Sequence, residues 1–248
     1  MTFLLEKGKC TNLIFTFKMD VLYHLRMLPT YLRSAYINFH YLPYKQAIHF
    51  PIFCEKLKCI NGGGKIIIDS QDISPGMIKL GYRMVGVYPD NGITWENIGS
   101  TVIFHGRANI GSDSFLSFGT NSVVEFGDDF MCSASLKLVS ARGIKFGKSV
   151  RIGWDNIIMD TNFHPLYNMN TNKFDPASGA IEIGDFNWFA TGCRVMHSVK
   201  TPERCIFGMN SIITKGSKMK SYCVMAGNPV HVIKEKIIRK IGEDKEPF

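Results

Sequence analysis

An aliphatic or aromatic residue followed by glycine recurs along the chain, often at separations that are multiples of six. Residues 183–224 divide into seven consecutive six-residue units in one phase, beginning IGDFNW and FATGCR. Earlier parts of the chain keep the same period between short insertions. The period is carried by Ile98-Gly99, Ile110-Gly111, Phe126-Gly127, Phe146-Gly147, Ile152-Gly153, Ile183-Gly184 and Phe207-Gly208. Such a period predicts a three-sided coil, with one strand per unit and about eighteen residues per turn.

Each position of the unit has a predicted environment. The first position points inward, and the second lies at a corner that tolerates little bulk and often needs an unusual backbone conformation, which favours glycine. The fifth position also points inward and must be small. In the late units the fifth position is filled by Cys193, Val199, Cys205, Ser211, Ser217 and Cys223. Three cysteines are therefore expected to act as small buried apolar residues.

Composition limits the class of protein. The 248 residues are 45% apolar and 20% charged, which is typical of one globular domain. The apolar stretches are broken well before the ~20 residues that a membrane-spanning helix needs. No secretory signal is evident, so we expect a cytoplasmic protein. The seven cysteines include no CxxC, which argues against a disulfide framework and a zinc site.

The excess of positive charge lies at the two ends of the chain. Residues 1–60 carry a net charge of +5 and residues 181–248 carry +4, within a total of +8. The basic residues of 200–240 are dispersed among apolar ones and lack the aromatic interleaving that stacks bases. We therefore expect no nucleic-acid partner. A small polyphosphate ligand fits this distribution better.

Two segments resemble the hexapeptide-repeat acyltransferases. Residues 183–234 contain IGxxxW, a TK in the penultimate turn and AGNPxxVIK, and residues 159–167 (MDTNFHPLY) are similar to the DTxFHP loop of sugar O-acetyltransferases that act in capsule and surface-polysaccharide synthesis. Trp188 follows His164 by 24 residues. The resemblance, over roughly 60–236, implies an all-β solenoid: a left-handed parallel β-helix, usually assembled as a homotrimer.

The expected organisation has three parts. Residues 1–60 form an N-terminal helical or irregular segment. Residues 61–229 form the left-handed β-helix, interrupted at 162–180 by a loop that carries the active site. Residues 230–248 form a short C-terminal capping helix and a tail.

The loop supplies the candidate base. A hydroxyl is a poor nucleophile near neutral pH, and an imidazole is well suited to accept its proton. The resemblance makes His164 the general base. Asp160 either orients this imidazole, binds the acceptor or caps a turn. Asn162 and Trp154 are the candidate acceptor-binding residues.

The resemblance also implies acetyl-CoA as co-substrate and no metal. Trp188, Ala190 and Thr191 are expected beside the thioester, where a backbone N–H near Ala190-Thr191 would stabilise the oxyanion. Cys193 is disfavoured as a nucleophile because it lies in the inward column. The remaining coenzyme-binding candidates are Thr214, Lys215 and Lys234 for the phosphates and Asn228 for the pantetheine arm.

The leading functional prediction is transfer of an acetyl group to a hydroxyl of a sugar or glycan. An N-acetyltransferase acting on an amino sugar and a non-catalytic solenoid scaffold are the alternatives. The N-terminal segment has a helical apolar spacing at Val21, Leu25, Leu28, Leu32, Tyr36 and Phe39. This face would pack against its own domain or a neighbouring protomer, or rest on an anionic membrane.

Overall fold

The computed structural model describes residues 27–243, which form two helices followed by a long series of short strands. Helix α1 covers residues 27–41 and α2 covers Tyr44–Ala47. Val21 and Leu25 lie outside the described residues. Sheet A contains β1 (Ile52–Cys54), β4 (Ile78–Tyr82), β7 (Ala108–Gly111), β10 (Phe130–Ala134), β13 (Arg151–Trp154), β18 (Trp188–Phe189), β21 (Ile206–Phe207), β23 (Cys223–Gly227) and β24 (Val230–Glu235).

Two further sheets and a hairpin complete the strands. Sheet B contains β2 (Leu57–Gly62), β5 (Ile93–Asn97), β8 (Ser114–Phe118), β11 (Lys137–Ser140), β14 (Ile157–Met159), β19 (Arg194–Val195) and β22 (Ile212–Ile213). Sheet C contains β3 (Lys65–Ile68), β6 (Thr101–Phe104), β9 (Val123–Phe126), β12 (Gly143–Phe146), β17 (Ile181–Ile183) and β20 (Lys200–Thr201). The antiparallel hairpin consists of β15 (Leu166–Asn168) and β16 (Lys173–Asp175).

The strand order is that of a three-sided coil. Successive strands pass from sheet A to B to C and back, and each strand from β1 to β11 pairs in parallel with the strand three places later. The hairpin interrupts the rotation, which resumes at β17. Mostly parallel strands are thus confirmed.

The inward columns follow the six-residue period. The first-position residues Ile183, Phe189, Val195 and Phe207 are buried, and so are all the predicted fifth-position residues except Ser217, which is half-buried. Because paired strands are in register, inward side chains stack directly on one another from turn to turn. Phe126 stacks between Phe104 and Phe146, with ring centroids 5.0 and 5.4 Å apart. These columns fill the core.

The glycine preference has a purely steric cause at several corners. A Cβ on Gly127 would collide with the carbonyl of Gly147 in the next turn, and φ is not positive at either glycine. The left-handed conformation falls two residues later, on Asp129 and Ser149. The expectation that the second position itself takes an unusual conformation is wrong here, because the sharp turn is made by the following residues.

Helix α1 covers the open edge of the first strand. The Asn38 amide group accepts a hydrogen bond from Ile52 N (3.1 Å) and donates one to Ile52 O (2.7 Å), while Ser34 Oγ accepts one from Cys54 N (2.9 Å). These side chains replace a missing neighbouring strand. Since β1 and β2 already belong to sheets A and B, the coil begins near residue 52, and the predicted boundary at residue 60 is too late.

The C-terminal end is capped by a strand. The capping helix predicted at the start of 230–248 is wrong: Val230–Glu235 forms β24, which pairs antiparallel with β23. Val230 is buried and Val232 packs against the core, so the segment follows a strand alternation at its start. Pairing with the free edge of β23 outweighs the local helical spacing.

The contacts of Asn38 predict a stability effect. In Asn38→Ala, both backbone groups of Ile52 lose their partners in a buried setting, so the free energy of unfolding should fall by about 2–4 kcal/mol. Asn170→Ala, in the exposed hairpin turn, is the control and should change it by less than about 0.5 kcal/mol. Chemical denaturation measures both. Equal stabilities of the two variants would contradict the capping role of α1.

Candidate active site

The predicted site residues lie mainly along two edges of the coil. The A/B edge is formed by the turns that connect sheet A to sheet B, and the B/C edge by the turns that connect sheet B to sheet C. Trp154, Ala190, Thr191 and Asn228 lie along or next to the A/B edge. The B/C edge carries Asp160, Asn162, His164, Thr214 and Lys215. Within one chain, the candidate base therefore lies on a different edge from most of the candidate coenzyme residues.

His164 lies on the insertion between β14 and β17. The base of this insertion is held by a bridge between Thr161 and Ser178 and by a hydrogen bond from Asn162 N to Ala177 O (2.7 Å). The His164 side chain is exposed, and its imidazole has no hydrogen-bond partner among residues 27–243. An imidazole that is free of partners, on a tethered loop, is able to accept a proton from a bound hydroxyl.

Asp160 has a different environment. Its carboxylate is buried and accepts hydrogen bonds from Ser140 Oγ (2.8 Å) and from the backbone N–H groups of Ala141 (2.6 Å), Arg142 (2.9 Å) and Gly143 (2.6 Å). With four donors on two oxygens, the carboxylate has little capacity left for an imidazole or a sugar. These contacts favour the turn-capping interpretation. Asp160 stabilises the corner from which the His164 loop departs.

Three predicted site residues lie close together at the A/B edge: Trp154, Ala190 and Thr191. The Asn156 amide group donates hydrogen bonds to Trp154 O (3.0 Å) and Ala190 O (3.1 Å), which ties adjacent turns together. Ala190 N already donates to Phe207 O (2.9 Å), so it is not available to an oxyanion. Thr191 N has no acceptor within the described part of the chain. Of the two backbone N–H groups that were expected to stabilise the oxyanion, only that of Thr191 is therefore available.

An aromatic residue that sequence reasoning missed lies next to this group. The insertion between β4 and β5 follows the A/B edge, and its Tyr88 ring lies 5.5 Å from the Trp154 ring, centroid to centroid. The Tyr88 hydroxyl donates a hydrogen bond to the Asp155 carboxylate. Partial burial and this carboxylate raise the pKa of Tyr88 to about 12. The insertion lies outside the repeat pattern, and nothing in its sequence indicated this contact.

A polar pocket of about 360 Å³ opens on the A/B edge. Its wall includes Thr191 and three charged residues: the cationic Lys137 and Arg194 and the anionic Asp155. Arg194 donates to the backbone oxygens of Asp155 (2.9 Å) and Cys193 (3.2 Å), and the structure shows no carboxylate against its charge within residues 27–243. The two cations outnumber the Asp155 carboxylate, which already accepts a hydrogen bond from Tyr88, so the charged residues of the pocket leave a net positive charge that suits an anionic group.

Trp188 is the first residue of β18 and faces outward from sheet A. The Arg239 guanidinium lies over its ring, 4.5 Å from the centroid. The two side chains border a second pocket of about 310 Å³, which also contains Arg151. The half-buried indole is a flat apolar wall beside cationic groups.

The remaining predicted coenzyme residues are dispersed over the last turns. Thr214 is held in a local turn by Ser217, while Lys215 and Lys234 are exposed and have no ion-pair partner among the described residues. Asn228 is exposed in the turn between β23 and β24. Within one chain these residues do not converge on a single point.

Cys193 is unsuited to nucleophilic attack. Its thiol is buried, and burial raises its pKa to about 11. A thiol with that pKa stays protonated near neutral pH. The Cys193 side chain therefore has the packing role that its inward position predicted.

Comparison with known proteins supports the fold. No protein-family model and no curated protein matches the chain. The crystal structure of the polySia specific acetyltransferase NeuO matches with a TM-score of 0.50 and 17% identity, over 77% of this chain and 92% of NeuO. At this identity the likeness shows a common fold.

Two further solved structures match with lower TM-scores and cover similar shares of this chain. The polysialic acid O-acetyltransferase OatWY matches with a TM-score of 0.42 and 16% identity, over 77% of this chain and 92% of its own. AntD, an N-acyltransferase from Bacillus cereus crystallised with dTDP-4-amino-4,6-dideoxyglucose and coenzyme A, matches with a TM-score of 0.45 and 16% identity, over 78% and 84%.

The contacts of Asp160 generate a prediction that separates structure from catalysis. Asp160→Ala should lower the free energy of unfolding by roughly 3 kcal/mol or more, because four donors lose their acceptor. Asp175→Ala, with an exposed carboxylate on the hairpin, is the matched control and should leave stability within about 0.5 kcal/mol. Thermal and chemical unfolding measure both. Wild-type stability combined with lost activity in Asp160→Ala would instead assign Asp160 to the reaction.

Proposed function

We propose that the protein transfers an acetyl group from acetyl-CoA to a hydroxyl of a sugar or glycan, with His164 as the general base. The observation that carries this proposal is the exposed, unpartnered imidazole of His164 on a loop anchored to a rigid coil. The common fold with a polySia specific acetyltransferase is consistent with it. In this proposal the coil is left-handed and the enzyme acts in the cytoplasm, where acetyl-CoA is available.

The proposed reaction is direct transfer. The acceptor hydroxyl gives its proton to the His164 imidazole as its oxygen forms a bond to the thioester carbonyl carbon. The negative charge that develops on the carbonyl oxygen is stabilised by the N–H of Thr191. When the intermediate collapses, the carbon–sulfur bond breaks and the imidazolium returns the proton to the coenzyme thiolate. No protein nucleophile or metal takes part in this scheme.

The proposed site requires two protomers. His164 lies on the B/C edge, whereas Thr191 lies on the A/B edge and Trp188 lies three residues earlier, on sheet A. In a homotrimer with parallel coils, the B/C edge of one protomer faces the A/B edge of its neighbour, which closes a groove between them. Asn162 on the first edge and Trp154 on the second would then contact the acceptor from opposite sides.

The coenzyme would follow the same groove. Trp188 offers a flat wall, and Lys215 and Lys234 offer exposed ammonium groups for phosphates. Thr214 lies next to Lys215, while Asn228 lies further along the A/B edge near the pantetheine path. Residues from both edges thus bind one extended ligand.

The role of His164 has a direct test. His164→Ala should lower kcat by about 10²–10⁴-fold while stability stays within about 0.5 kcal/mol, because the side chain is exposed and makes no contact that folding needs. His49→Ala, also exposed but on the N-terminal region, is the control and should keep wild-type kcat. Release of coenzyme A thiol is measured with oligosaccharide, nucleotide-sugar and amino-sugar acceptors.

The acceptor panel separates the alternatives. Turnover with amino sugars alone would replace O-transfer by N-transfer, and absence of both turnover and acetyl-CoA binding would indicate a scaffold. Full activity of His164→Ala would exclude this histidine as the base.

A further inference from the structure

Helix α1 carries several polar residues on the side that faces the coil and apolar residues on the opposite, exposed side. Its side toward the coil carries the buried polar residues Thr30, Ser34 and Asn38, beside the apolar Ile37. As described above, Ser34 and Asn38 bond to strand β1. The helix is therefore held on the coil by polar contacts together with the packing of Ile37 and Tyr41, and its opposite side is exposed.

The opposite side of α1, extended by α2 and the turn after it, forms an exposed apolar face. We define this N-terminal apolar face by seven residues, each about half exposed or more: Leu28 (48%), Tyr31 (47%), Leu32 (63%), Tyr36 (49%), Phe39 (49%), Tyr44 (73%) and Ile48 (46%). On a helix of 3.6 residues per turn, those that belong to α1 share one side. Contiguous apolar surface of this kind marks an interaction site.

The face is continuous from one helix to the next. The Phe39 ring lies 6.4 Å from the Tyr44 ring and 5.8 Å from the Phe50 ring, measured between centroids. Three of its seven residues are tyrosines, whose rings combine an apolar body with a polar hydroxyl. Such rings are favoured at the boundary between lipid headgroups and acyl chains.

The two helices that carry the face contain cationic side chains and no carboxylate. Residues 21–54 contain no Asp or Glu, while Arg33 and Lys45 lie within the two helices. A self-pairing contact with a second copy would bring these cations together with no carboxylate of the segment to neutralise them. An anionic surface, in contrast, would be attracted by them.

We propose that the N-terminal apolar face docks this protein on the surface of an anionic lipid bilayer. Leu28, Leu32 and Phe39 insert at the level of the acyl boundary, and the tyrosines and cations contact the headgroups. No helix among residues 27–243 is long and apolar enough to cross a bilayer. The docking concerns the N-terminal end of the coil and does not depend on the proposed activity.

Vesicle flotation tests this proposal with the full-length protein. Vesicles of equal parts phosphatidylglycerol and phosphatidylcholine should carry the wild type, and vesicles of phosphatidylcholine alone should carry much less. The double variant Leu32→Asp, Phe39→Asp should bind the anionic vesicles at least about tenfold more weakly. Ile233→Asp is the matched control, since Ile233 is 50% exposed on β24, at the opposite end of sheet A from β1, and it should bind like the wild type.

A charge variant provides a second test that does not alter the apolar residues. Arg33→Gln, Lys45→Gln should weaken binding to anionic vesicles by about fivefold for each charge removed, and binding should fall as salt rises. Circular dichroism verifies that each variant is folded. If the wild-type protein does not bind anionic vesicles, or if it binds both kinds of vesicle equally well, the proposal is wrong. If the face mediates self-association instead, the double variant should form a smaller oligomer than the wild type in analytical ultracentrifugation, and the wild type should not bind vesicles.

Discussion

The close stacking of successive turns is the constraint on which the rest of the structure depends. Neighbouring strands of a sheet lie about 4.8 Å apart, so each inward side chain must fit directly over its counterpart in the next turn. The stacked rings of Phe104, Phe126 and Phe146 satisfy this condition, and the missing Cβ of Gly127 allows the next turn to approach. Insertions are tolerated only at the corners. The His164 loop and the Tyr88 insertion both occupy such corners, so the chemistry is arranged along the edges.

The same regularity explains what the sequence predicted well. The six-residue period reflects a repeated steric environment, and therefore it predicted the parallel sheets and the buried positions of Cys193 and Cys205. Two of the predictions that failed concern the ends, where a strand has no neighbour on one side. Residues 230–235 form a strand because β23 offers an open edge, and a local pattern does not contain that information. The start of the coil at β1 was missed for a related reason: the first turns precede the regular glycine spacing.

The candidate site shows a similar division. A loop histidine was recognisable from MDTNFHPLY, but the partners of Asp160 come from residues 140–143, about one turn earlier in the coil. Similarly, Tyr88 meets Trp154 across 66 residues of sequence, and Ala190 loses its N–H to Phe207 in the following turn. Contacts between turns are set by the number of residues in each insertion. The motif therefore supplied the candidate base, and the contacts along the edges changed the roles expected for Asp160 and Ala190.

The central claim is that an active site is completed between two protomers, and chain mixing tests it most directly. Two chains, His164→Ala and Trp188→Ala, are purified as inactive homo-oligomers and then unfolded and refolded together. If each site takes the histidine from one chain and the tryptophan side from its neighbour, random assembly into trimers restores roughly one quarter of the wild-type activity. The same two proteins, mixed without refolding, stay inactive. A co-refolded mixture that forms mixed oligomers but shows no restored activity would contradict the account.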